Sequence, residues 1–173
     1  MIKTYNYKET MDEGDVEGAK WWVDNLIEKG EWNKTHPSYQ TYANLYEHPL
    51  FHIFDFTFMD ACMQYVGGSD NLKVWRKSIN LPPVRMWCYR DTGENQKLKT
   101  NDMWHIHEDS ELSGILYLHN PDNVGTLFHN QDSPEPEPFT WIIFPSKLQH
   151  RAGKITTPNT PRYSLCADIS LKL

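Results

Sequence analysis

HIHEDSELSGILYL, residues 105–118, decides how this chain is read. Its second half, LSGILYL, is an apolar run bounded by polar and turn residues. That length and those boundaries suit a fully buried strand better than a helix. Its first half sets His105, His107 and Asp109 at alternate positions. An extended backbone sends alternate side chains to one face, so all three point the same way. A buried strand is therefore entered through a cluster of metal-capable groups, of which two at most are expected on one ion.

Outward from this stretch, short apolar runs alternate with turn residues. They read VRMWCYR (84–90), MWHIH (103–107), LSGILYL (112–118), GTLFHN (125–130), FTWIIF (139–144), KLQHRAG (147–153) and RYSLCADISL (162–171). This rhythm predicts a β-sandwich or jelly roll over about 84–173. The segment QDSPEPEP (131–138) is rich in proline and reads as a loop. The first 83 residues have a different texture. In 15–30, Val16, Ala19, Trp22, Val23, Leu26 and Ile27 share one helical stripe, and Gly30 follows as a cap. Residues 49–67 repeat the pattern with Phe51, Phe54, Phe58, Ala61, Cys62 and Tyr65, although FHIFDFTF (51–58) also fits a strand. The expected architecture is mainly β: a double-stranded β-helix, or jelly roll, with N-terminal helices packed outside it. Residues 1–173 are read as one domain.

Composition narrows the function. A net charge of -6 disfavours a nucleic-acid partner, which needs a basic face. No apolar run is long enough to span a bilayer, and the polar, acidic start is not read as a signal peptide. Cys62, Cys88 and Cys166 are scattered and odd in number, as expected of reduced, buried thiols in a cytoplasmic protein.

A mononuclear metal site needs a third ligand from a distant segment, because one strand cannot surround an ion. His150 supplies it, just after FTWIIF and the Pro145-Ser146 turn. Imidazole suits Fe(II) and is mostly unprotonated at neutral pH. Twelve residues on, Arg162 opens a strand. Its guanidinium can grip a carboxylate with two parallel bonds, and Ser164 faces the same side. A dicarboxylic keto acid such as 2-oxoglutarate would then chelate iron at one end and meet Arg162 at the other. Tyr117 is a further candidate for hydrogen bonding to the keto acid, and Trp87, Trp104 and Trp141 are expected to line or brace the cavity.

The blocks HIHEDSELSGILYL, FPSKLQH (144–150) and RYSLCADIS (162–170) together resemble the Fe(II)/2-oxoglutarate-dependent oxygenases. More narrowly they resemble a branch from marine bacteria and their phages, with a pattern HxHxxSxxSGxxYL, FPSxLxH and RxSxS. The resemblance spans about half the chain. It implies a dioxygenase, and by extension a hydroxylase, that couples decarboxylation of 2-oxoglutarate to succinate with oxidation of a small-molecule or peptide substrate. A phage-encoded enzyme working in a host cytoplasm is the corresponding setting. The wider superfamily uses His-x-Asp with a distal His, and two registers fit: His107 with Asp109, or His105 with His107, as the narrower branch suggests. The second leaves a longer turn before LSGILYL and is preferred, with Asp109 as rival.

Two other readings stand beside this one. HIHEDSE also fits a cupin metal site with Glu111 as the carboxylate, acting without a keto acid. A non-catalytic jelly-roll binding module is the other. Arg162 with Ser164 separates the oxygenase from the cupin, and the intact ligand set argues against the binding module.

Overall fold

The computed structural model describes residues 1–34, 38–68, 84–97 and 104–170. Met103 and Leu171, which belong to predicted strand segments, lie outside these residues, as does the expected boundary at residue 83.

Helix α1 spans Glu13–Glu28 and starts at a reciprocal cap. The Asp12 carboxylate accepts from Asp15 N, and the Asp15 carboxylate accepts from Asp12 N. Lys29 closes the helix and Gly30 follows at φ 74°, a conformation that glycine adopts freely. Helix α2 spans His52–Val66, after a tight turn over Pro49–Phe51, and stops at Gly67 with φ 86°. The strand alternative for this stretch is thereby set aside: Phe54, Phe58, Ala61 and Cys62 are buried at helical spacing.

The described residues also form eight strands: β1 (Lys3–Asn6), β2 (Tyr39–Gln40), β3 (Val84–Asp91), β4 (Leu112–His119), β5 (Thr126–Phe128), β6 (Thr140–Pro145), β7 (His150–Ala152) and β8 (Arg162–Ile169). The larger sheet runs β1-β6-β4-β8-β3-β2 and the smaller pairs β5 with β7, every ladder antiparallel. A short helix α3 (Gly93–Lys97) follows β3. In the segment expected as strand MWHIH, the described residues contribute a bridge, His105 opposite His150, which continues the smaller sheet by one pair.

The larger sheet is covered on both faces, so its central strands are apolar on both. One face meets the helices. There Met86, Leu116, Trp141, Leu165 and Ile169 pack with Phe54 and Phe58 of α2 and Val23 of α1. The other face meets the smaller sheet, and Trp87, Ile115, Ile142, Phe144 and Cys166 pack with Phe128 of β5. This is the double-stranded β-helix with outer helices that the strand rhythm predicts.

Gly114 shows how closely α2 lies on the sheet. A Cβ there would sit 2.7 Å from Phe58 Cε2 and 2.9 Å from Ile143 Cδ1. Gly114→Ala is expected to destabilise the fold by about 1–3 kcal/mol through overpacking. A denaturant midpoint unchanged from native would show that α2 has room to move.

Candidate metal centre

The register of β8 with its neighbours lays out the inner face row by row. Asp168 faces Arg85 of β3 and Ser113 of β4; Cys166 faces Trp87 and Ile115; Ser164 faces Tyr89 and Tyr117; Arg162 faces Asp91. Two polar ends thus flank an apolar middle. All eight β8 residues are buried, so each polar one needs a partner.

At the Asp168 end the three histidines meet. Their candidate ligand atoms lie within 4.8 Å of one another. Backbone pairing places them: His105 and His150 exchange two N–H···O bonds of 3.0 Å, and His107 N donates to Ser146 O at 2.9 Å. The ring centroids are 4.3 Å apart for His105–His150, 5.0 Å for His107–His150 and 5.4 Å for His105–His107. His105 is exposed, His107 half-buried and His150 buried.

Two of the rings are oriented from behind. His150 Nδ1 is 2.9 Å from Leu148 O, a carbonyl that can only accept, so the proton is assigned to Nδ1. His107 Nδ1 is 2.8 Å from Asp168 Oδ1 and donates to that carboxylate by the same reasoning. Both Nε2 atoms are left as lone-pair donors, the form a metal requires. The donor set therefore fits a divalent ion that accepts imidazole, as Fe, Zn, Ni and Cu do.

Asp109 does not join this group. It is exposed in the turn after His107, and its carbonyl accepts from Ser170 Oγ. Glu111 is exposed as well, with its backbone tied to Ile169 and Ser146. Among the described residues the cluster is made of imidazoles alone.

Burial pushes the His150 pKa down to about 4, and the neighbouring His105 and His107 add to the effect. The unfolded chain takes up this proton below the usual 6.5, while the folded metal-free protein refuses it until about 4. Stability conferred by neutral His150 is thus full above pH 6.5 and declines as pH falls to 4, by on the order of 3 kcal/mol. Urea midpoints at pH 7, 5.5 and 4, compared with His150→Gln, check this: the excess acid sensitivity of the native chain should vanish in the variant.

At the far end, Arg162 is 2% exposed. Its Nη1 donates to the Val124 and Gly153 carbonyls at 3.1 Å each, and Nη2 stands 3.7 Å from Asp91 Oδ2. Its Nε is buried with no hydrogen-bond partner among the described residues. An unmet guanidinium N–H in a buried site is costly, and a ligand carboxylate would satisfy it. Tyr117 lies beside it, the guanidinium carbon 5.9 Å from the ring centre, with its hydroxyl 2.8 Å from Thr126 Oγ1. Ser164 is buried in the adjoining row.

The tryptophans divide by strand parity. Trp87 faces inward, 5.7 Å from the His107 ring. Trp141 is on the opposite face of the larger sheet, its Nε1 donating to Thr57 of α2, and so does not line the interior as expected. Trp104 is half-exposed against Arg151 and His129 rather than bracing the cavity.

Solved structures share this arrangement of elements. A prolyl-4-hydroxylase from Pseudomonas putida superposes with a TM-score of 0.59 at 13% identity, covering 99% of this chain and 92% of that one. An oxidoreductase of the 2OG-Fe(II) oxygenase family from Burkholderia pseudomallei gives 0.57 at 15% identity, covering 98% and 84%. HygX from Streptomyces hygroscopicus, solved with nickel and 2-oxoglutarate bound, gives 0.56 at 10% identity, covering 99% and 83%. The fold is that of the 2OG-Fe(II) oxygenases. No protein-family model and no curated protein matches the sequence.

Within the oxygenase fold, sequence reasoning missed Asp168, Arg85, Ser113 and Asp91. Asp168 had a legible signal, since it lies six residues from Arg162 and shares its strand face. Asp91 had none, because its pairing with Arg162 depends on cross-strand register. No helix among the described residues is long and apolar enough to cross a membrane. Cys62, Cys88 and Cys166 are buried and outside any disulfide.

Proposed function

We propose that this chain is an Fe(II)- and 2-oxoglutarate-dependent dioxygenase that hydroxylates a small-molecule or peptide substrate. In this reading 2-oxoglutarate, O2 and the substrate give succinate, CO2 and the hydroxylated product. The whole chain, 1–173, acts as one oxygenase domain. The observation that carries the reading is the pairing of two sites on one interior: an imidazole trio at one end, and at the other a buried Arg162 whose Nε has no hydrogen-bond partner among the described residues.

His105, His107 and His150 would hold the metal, and Arg162 the far carboxylate of the keto acid, with Ser164 and Tyr117 beside it. Bound there, iron and keto acid would supply the oxidising chemistry. The chain's own part is to present unprotonated Nε2 atoms, orient the diacid and keep the middle of the site dry. Trp87, Ile115, Phe144 and Phe128 form that dry middle. The three sequence blocks support placing the chain in the marine bacterial and phage branch, and buried thiols outside disulfides support a reducing, cytoplasmic setting.

The all-imidazole set favours a second reading, a cupin-type metal enzyme that needs no keto acid. One experiment separates the two. The Fe(II)-loaded protein, given 2-oxoglutarate and oxygen without a further substrate, should form succinate slowly. Metal uptake with neither 2-oxoglutarate binding nor succinate would overturn the oxygenase reading in favour of the cupin type.

A further inference from the structure

Among the described residues, no carboxylate joins the imidazole trio, unlike the usual two-histidine, one-carboxylate oxygenase site. A buried carboxylate stands directly behind it instead. Asp168, its side chain 3% exposed, divides its two oxygens. Oδ1 lies 2.8 Å from His107 Nδ1 and accepts from Ser113 Oγ at 2.6 Å, while Oδ2 accepts from Arg85 Nη2 at 3.2 Å. Ser113 is itself 2.8 Å from Ser146 Oγ, and Arg85 also donates to Ser110 Oγ at 2.7 Å.

We propose that Asp168 is the positioning residue of the metal centre: by accepting a hydrogen bond from His107 Nδ1–H it fixes that ring with Nε2 toward His105 and His150. The inference rests on the metal reading above. A carboxylate behind a ligating imidazole fixes its tautomer and raises its basicity. His107 needs such help because, among the described residues, its segment adds a single bridge to the smaller sheet, and its side chain is 18% exposed. A purely structural role would be met by the Arg85–Asp168 pair and the serines; it would not require an imidazole nitrogen at 2.8 Å. Arg85, 30% exposed, shares the carboxylate and holds it on the far side from His107. The negative charge missing from the inner set thus survives one bond further out, along a line from His107 to Asp168 to Arg85.

The test titrates the full-length native chain and Asp168→Asn with Co(II), reading affinity and the visible ligand-field spectrum. The variant keeps the side chain's shape and removes its charge. The expected result is a Co(II) affinity weaker by about 10–100-fold with an altered spectrum. Affinity within twofold of native and an identical spectrum overturn the inference. A native chain that takes up no Co(II) sinks the metal reading itself, which is a separate failure. Should Asp168→Asn fail to fold, the Zn(II)-loaded native chain labelled with 15N in its histidine rings decides. His107, assigned by the signal lost in His107→Gln, should show a protonated Nδ1 and a coordinated Nε2. The opposite tautomer overturns the inference.

Discussion

His105→Ala and His150→Ala are each expected to lower divalent metal affinity by more than about a hundredfold, a larger loss than removing an outer partner causes. Asp109→Ala is expected to leave it unchanged. The contrast follows from placement: the two imidazoles sit in the cluster, while the Asp109 carboxylate is exposed in the turn beyond it. His150→Ala should also reduce stability, since its ring packs 4.8 Å from Phe144 and its removal leaves a gap. His105 is exposed, so His105→Ala tests the metal with little effect on folding. Calorimetric titration with Ni(II) or Co(II) measures the series. A strong loss in Asp109→Ala with none in His105→Ala would restore the register with His107 and Asp109 as the pair.

Arg162→Leu carries the other large effect. It removes the charge that faces Asp91 across the β3–β8 ladder and takes a donor from the Val124 and Gly153 carbonyls. Breaking a buried pair by deleting one partner costs about 3–5 kcal/mol, because the remaining charge stays buried. Arg162→Lys keeps the charge but loses the planar fork. The folded lysine variant should retain its metal affinity and lose most of its affinity for 2-oxoglutarate. Urea unfolding measures the first loss and calorimetric titration of the metal-loaded protein the second. Undiminished 2-oxoglutarate affinity in Arg162→Lys would remove this residue from the proposed keto-acid site.

The histidine spacing was legible because period-two alternation is a local property of an extended chain. The same holds for the inward set on β8, where Arg162, Ser164, Cys166 and Asp168 alternate with buried apolar residues. Asp168 was readable by that rule, yet its meaning was not, since nothing local says that His107 lies against it. The helices were legible from their stripes, while the Asp12 cap that starts α1 two residues before the expected 15–30 was not read. The short strands β1 and β2 were not, because Lys3–Asn6 and Tyr39–Gln40 are too brief to show a period. Trp141 and Trp87 looked alike in sequence; only the pairing of β6 with β4 and of β3 with β8 sends the first to the helices and the second to the interior.

By itself the sequence determined the residue types at the site, the β-helix rhythm and which side chains share a strand face, because each follows from chemistry or local period. Tertiary structure alone decided that His105 pairs with His150, that Asp109 is left in solvent, and that Asp168 and Asp91 stand behind His107 and Arg162. Those choices depend on register between strands far apart in the chain, which the burial of whole faces sets and local alternation does not reveal.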